Sequence, residues 1–151
     1  MHMNFDPEQR LPKAAIIGSF RKHYKEVVDA ALKFESSSIS VLSPPVSRIV
    51  DPKANFVRFE TDALDSTDHQ IQTETFARIF KSDFVYVVTP GGYIGRTTCF
   101  ELGRILERGI PVFYSEEPDD LPISIASESV CSVDELVIRM RTVEVRSSLC
   151  R

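Results

Sequence analysis

From Asp83 to Val88 the chain runs Asp-Phe-Val-Tyr-Val-Val, and every residue after the aspartate is β-branched or aromatic. A strand that is apolar on both faces has to be covered on both, as happens in parallel sheets with helices packed against each side. The run is closed at once by Thr89-Pro-Gly-Gly-Tyr-Ile-Gly95, and a helical pattern follows from Thr97 to Arg108. A buried strand, a glycine-bearing turn and a helix opening on small hydroxyl residues suit a polar ligand. The first amides of such a helix have no acceptor within it.

The rest of the chain repeats this alternation. Lys13–Gly18 is a short apolar run closed by glycine, a buried strand. His23 to Phe34 carries Val27, Val28, Ala31 and Leu32 at helical spacing, and Ser36 to Ser38 ends it. Ile39 to Ser43 is a second strand, stopped by Pro44-Pro45. Asn55 to Glu60 alternates like an edge strand, and His69 to Lys81 has helical periodicity through Ile71, Phe76, Ile79 and Phe80. Ile110 to Tyr114 is a fourth main strand, and Ser127 to Cys131 is a short fifth. Ser132 with Glu135 three residues on fits a capping box for a last helix using Leu136, Val137 and Met140. Strands alternating with helices predict an α/β fold. The expected form is a flavodoxin-like, doubly wound, five-stranded parallel sheet of order 2-1-3-4-5 with helices on both faces. Residues 1–12 are expected to be an arm, 13–143 a single domain and 144–151 a tail.

With a net charge of −4 and no block of like charges, the chain lacks the cationic surface that holds nucleic acid through its phosphates. A small anionic ligand held by a few local groups stays compatible. Cys99, Cys131 and Cys150 are odd in number and widely spaced, and the three histidines show no metal-ligand spacing. A reduced, cytoplasmic protein without structural metal is the simplest expectation. No apolar stretch is long enough to span a bilayer.

In sheets of this kind ligands bind beyond the carboxyl ends of the strands, where the strand order reverses. The expected ends are Gly18-Ser19-Phe20-Arg21 and the turn holding Gly91, Gly92, Tyr93, Gly95 and Arg96. The glycine pattern matches neither a dinucleotide fingerprint nor a P-loop. Glu101 lies about one turn into the following helix. Helical spacing puts Cys99, Leu102 and Leu106 on the buried stripe and Glu101 beside Arg104 and Arg108, as an exposed pair. The functional alternative turns Glu101 over the strand ends toward Gly18, where a carboxylate can attack an electrophilic sugar carbon.

Gly18-Ser-Phe20, Ser82-Asp-Phe-Val-Tyr-Val-Val88, Gly95-x-x-x-x-Phe-Glu-Leu-Gly103 and Gly109-Ile-Pro-Val112 together resemble the nucleoside 2-deoxyribosyltransferase family over roughly residues 13–115. The resemblance implies a flavodoxin-like fold and cleavage of the N-glycosidic bond of nucleosides or nucleotides. It puts the nucleophilic glutamate on Glu101 and implies double displacement with retention, without a cofactor, because the ester intermediate conserves the bond energy. The family's aspartate in the helix before the third strand falls on Thr75, and adjacent Glu74 is the carboxylate that would replace it. Gly18, Ser19, Phe20, Thr75, Asp83, Gly92, Tyr93, Gly95, Arg96, Thr97 and Thr98 are the substrate-binding candidates. Ser19 would bond the ligand, and Phe20 would stack on a base. Arg21, Lys22, Arg96 and Thr97 would meet a 5′-phosphate. Asp83 also reads as an anchor for its strand end.

Three functions remain open on these residues. One is base exchange on 2′-deoxynucleosides. The second is hydrolysis of 2′-deoxynucleoside 5′-monophosphates, and the third a catalytically silent nucleotide-binding module. The expected partners are a nucleoside or nucleotide and a free nucleobase, with no nucleic acid and no membrane. The resemblance also implies a homodimer or larger homo-oligomer, with the apolar residues of the second and third helices as the expected interface.

Overall fold

The computed structural model describes residues 11–45 and 67–149. In chain order these form β1 (Lys13–Gly18), α1 (Phe20–Ser36), β2 (Ser40–Ser43), α2 (Asp68–Phe80), β3 (Phe84–Val88), α3 (Arg96–Glu107), β4 (Val112–Tyr114) and α4 (Val133–Leu149). The four strands make one parallel sheet of order β2-β1-β3-β4.

The two faces of the sheet follow the two-residue period of its strands. Ala14 and Ile16 of β1 join Phe84, Tyr86 and Val88 of β3 on one face. There they meet Val27, Ala31 and Phe34 of α1 and Val133, Leu136 and Val137 of α4. Ala15, Ile17, Val85 and Val87 face the other way, toward Phe76 and Ile79 of α2 and Leu102 and Ile105 of α3. Phe34 is fully buried and meets the rings of Phe84 and Tyr86 edge-on, at 5.6 and 5.4 Å between centroids. The Tyr86 hydroxyl donates to the Cys131 carbonyl at 2.9 Å, which ties β3 to the approach to α4.

Each helix start has a local cause. Ser19 caps α1, its side chain accepting from the Lys22 amide. The helix therefore opens at Phe20, three residues before the periodicity of its apolar face becomes visible. Thr67 and Gln70 form a reciprocal capping box at α2. The Ser132 hydroxyl accepts from the Glu135 amide at 3.1 Å, as the spacing predicts for α4.

Two expectations change. The fifth strand shrinks to a single parallel bridge, Tyr114 with Val130, after a 3-10 turn at Ser127–Ser129. The serines favour the turn, and the cap at Ser132 starts a helix before a ladder can extend. The described sheet accordingly has four strands. α4 continues past residue 143, where a tail was expected, to Leu149. The expected strand at Asn55 to Glu60 lies outside the described residues.

Truncating Phe34 to alanine should destabilise the protein by about 3–5 kcal/mol, because the cavity would lie between α1 and β3. Urea unfolding of the variant checks this. A loss below about 1 kcal/mol would contradict the packing described.

Candidate active site

A cleft of about 980 Å³ opens at the carboxyl edge of the sheet. Its wall takes Gly18 to Lys22 from the end of β1 and the first turn of α1, and Ser43 to Pro45 from the end of β2. From α2 come Ile71, Gln72, Thr75, Arg78 and Ile79. Tyr93 and the first turns of α3 complete it, with Gly95 to Thr98, Phe100 and Glu101. The volume is within the range of small-molecule sites.

The parallel register explains the gathering of these segments. Gly18 pairs with Val88, so both strands end at one level. A Cβ on Gly18 would stand 3.1 Å from the Val88 carbonyl and 3.2 Å from a Val27 methyl. Glycine therefore lets β1, β3 and α1 converge there.

The turn after β3 is held from behind. Fully buried Thr89 donates from Oγ1 to the Glu116 carbonyl at 2.6 Å and accepts from the Glu116 amide at 3.0 Å. Its own amide donates to Ser115 Oγ at 2.8 Å, and the Gly91 amide donates to the Glu116 carboxylate. Gly92 has φ +81°, and a Cβ there would lie 2.6 Å from the Asp119 carboxyl. Gly92 is thus buried against the loop after β4 and does not line the cleft. Its place among the binding candidates is corrected to a turn requirement.

At the start of α3, Gly95 is an N-cap that provides no side-chain hydrogen bond. The first bond within the helix runs from the Cys99 amide to the Gly95 carbonyl, leaving the preceding amides without intrahelical acceptors. Thr98 is buried in the wall, and Arg96 is exposed at the rim. Tyr93 leans on α1, with the Lys22 ammonium 3.9 Å from its ring centre and the His23 ring edge-on to it at 5.8 Å.

Glu101 faces the cleft, not the outer surface. The buried stripe of α3 is Thr98, Leu102 and Ile105, and Leu106 is exposed. Rotating the stripe by one residue relative to the expected Cys99-Leu102-Leu106 brings Glu101 inward. Arg104 does not pair with it. That guanidinium lies 3.8 Å from the Phe76 ring centre, and Arg108 lies 4.1 Å from that of Phe80. Two arginines stacked on aromatic rings of α2 account for the difference. Among the described residues no ion pair or hydrogen bond meets the Glu101 carboxylate. Burial alone raises its pKa from 4.5 to about 7.

The remaining candidates divide. Gly18, Ser19, Phe20, Thr75, Tyr93, Gly95, Arg96, Thr97 and Thr98 all line the cleft. The Ser19 hydroxyl is engaged in capping α1. Glu74 is exposed and outside the wall, whereas adjacent Thr75 is in it. Asp83 lies at the opposite end of β3. There its carboxylate accepts from the Lys13 amide at 2.7 Å and its own amide donates to the Lys13 carbonyl at 2.8 Å. It anchors β1 to β3, and its place among the substrate-binding residues is corrected.

Arg78 was missed. It lines the cleft, and its Nε is buried without a hydrogen-bond partner among the described residues. The sequence holds a signal for it, since Ile71, Thr75, Arg78 and Ile79 recur at helical spacing along one face of α2. Among the described residues no cluster of histidine, cysteine or acidic side chains could hold a metal ion, and no helix is long and apolar enough to cross a membrane. Cys99 and Cys131 are free thiols.

Raising the Glu101 pKa makes the carboxylate a burden on stability above neutrality. The folded state keeps its proton between pH 4.5 and about 7 while the unfolded chain releases it, so stability falls as pH rises through that window. Glu101→Gln should therefore stabilise the protein at pH 8, by on the order of 3 kcal/mol at most, and should add nothing below pH 4.5. Chemical denaturation of both proteins across this range checks it. An equal gain at every pH would contradict a half-buried, desolvated carboxyl that titrates in this range. No family model, curated protein or solved structure matches the chain.

Proposed function

We propose that the protein transfers a 2′-deoxyribosyl group between nucleobases, with Glu101 as nucleophile. The observation that carries this is a carboxylate turned into the cleft without a counter-ion among the described residues, at the carboxyl edge of a parallel sheet. The strand order β2-β1-β3-β4, continued by the Val130 bridge, is compatible with a flavodoxin-like, doubly wound sheet whose last strand has shortened to one residue. That architecture and the Phe100-Glu-Leu-Gly103 segment support the resemblance to nucleoside 2-deoxyribosyltransferases.

The chemistry is a double displacement. Ionised Glu101 attacks C1′ of the sugar, a C–O bond forms, and the C1′–N bond breaks. The electron pair leaves on the base, which takes up a proton. An incoming base then attacks C1′ through nitrogen and gives up its proton, and the ester C–O bond breaks to restore the carboxylate. Water in place of the second base gives hydrolysis. Desolvation in the unliganded cleft raises the energy of the attacking anion, and the ester carries no charge, so covalent attack relieves the burial penalty.

One observation favours a second reading, a silent nucleotide-binding module. Thr75 stands in the cleft where the family has an aspartate, and Glu101 is the one acidic side chain of the described wall. A threonine hydroxyl is too weak an acid to protonate a departing base.

Mixing a 2′-deoxynucleoside with a different free base and following exchange by chromatography separates the two. The Glu101→Ala change should lower exchange by at least about 10³-fold, as expected for loss of a nucleophile. The specificity constant kcat/KM should climb with pH through about 7, as Glu101 ionises in the free protein. No turnover of nucleosides or nucleotides would leave the binding module. Full turnover by the alanine variant would remove Glu101 from the mechanism.

A further inference from the structure

We infer that the cleft takes a phosphorylated substrate, a 2′-deoxynucleoside 5′-monophosphate in preference to a neutral nucleoside, with Arg78 of α2 as its anion-binding side chain. The inference names the substrate class for the glycosyl-transfer site above and rests on that reading.

The first argument is charge. The whole chain carries −4, yet among the described residues its cleft is lined by Arg21, Lys22, Arg78 and Arg96 against a single carboxylate, Glu101. A cationic cleft in an acidic protein concentrates anions at its mouth. A neutral nucleoside makes no use of that excess, whereas a phosphate monoester brings a charge of about −1.5 to −2 and three acceptor oxygens.

The second argument is the state of Arg78. Its Nε is shut away from solvent and donates to none of the described residues, and a buried donor left unmade is unfavourable. Other arginines have found partners. Arg104 and Arg108 lie on aromatic rings, and Arg139 donates to the Glu128 carbonyl. Arg78 faces the cleft and makes no ion pair with Glu101. The two charges therefore address different parts of a ligand. Glu101 meets the anomeric carbon, and Arg78 meets an anionic group elsewhere on the same molecule. A guanidinium fork matches two phosphate oxygens at once. Thr75, one helical turn before Arg78, lines the same wall with a hydroxyl.

Isothermal titration of the full-length protein tests this with three probes: a 2′-deoxynucleoside, its 5′-monophosphate, and inorganic phosphate alone. The monophosphate is expected to bind at least tenfold more tightly than either other probe. Arg78→Gln should remove at least tenfold of that affinity while keeping the wild-type circular dichroism spectrum. Should that variant not fold, the wild-type comparison decides, together with its salt dependence, since added salt should weaken the monophosphate and spare the nucleoside. Equal affinity for nucleoside and monophosphate would overturn the inference and leave base exchange standing. Inorganic phosphate binding as tightly as the nucleotide would also overturn it, as a free-anion site. A monophosphate preference without any turnover would keep the anion site and remove the transfer reaction.

Discussion

The parallel pairing of β1 with β3 is the constraint on which the cleft depends. Five register pairs, from Ala14 with Phe84 to Gly18 with Val88, bring both strands to an end at the same edge. Asp83 and Lys13 fasten the other end by reciprocal bonds. With that edge level, the turn into α1 and the turn into α3 stand side by side. The absence of a side chain at Gly18 lets them close up. The Thr89–Ser115–Glu116 bonds then fix the second turn from the rear, which sets where α3 begins and which of its faces looks inward.

The inward face of α3 carries the chemical consequence. Stacking of Arg104 and Arg108 on the phenylalanines of α2 removes from Glu101 the two cations that follow it in sequence. The carboxylate is left desolvated, and unpaired among the described residues, beside a wall rich in other positive charge. Such a group is unfavourable for folding, and a perturbed acid in a cleft is the usual mark of a functional site. Arg78 is a second group left incomplete by the fold, a buried donor on the same wall. A ligand with an electrophilic carbon and an anionic group would satisfy both.

Much of this could be read from the residues, for identifiable reasons. The apolar runs at Ala14 to Ile17 and Phe84 to Val88 have no amphipathic alternative, so the parallel sheet and its burial on both faces were legible. The cap at Ser132 was legible because it is local. The face of Glu101 was not. Its orientation depends on Thr98, a polar residue that is fully packed, and on arginines that prefer aromatic rings to a neighbouring carboxylate. Both are tertiary effects that override helical spacing. Ser127 to Cys131 read as a strand because Val130 and Cys131 are apolar, but serine turn chemistry on one side and a helix cap on the other left room for one bridge. Arg78 escaped because a charged helix residue ordinarily faces water, and the wall it belongs to exists only once α2 is docked.

The central claim is that Glu101 is a desolvated carboxyl with no charged partner among the described residues of the cleft. Labelling glutamate side-chain carboxyls with carbon-13, assigning Glu101 by its glutamine variant and following its shift with pH measures that state directly. A midpoint near 7 is expected. A midpoint near the ordinary value of 4.5 would contradict the account, because it would mean that Glu101 is solvated or paired.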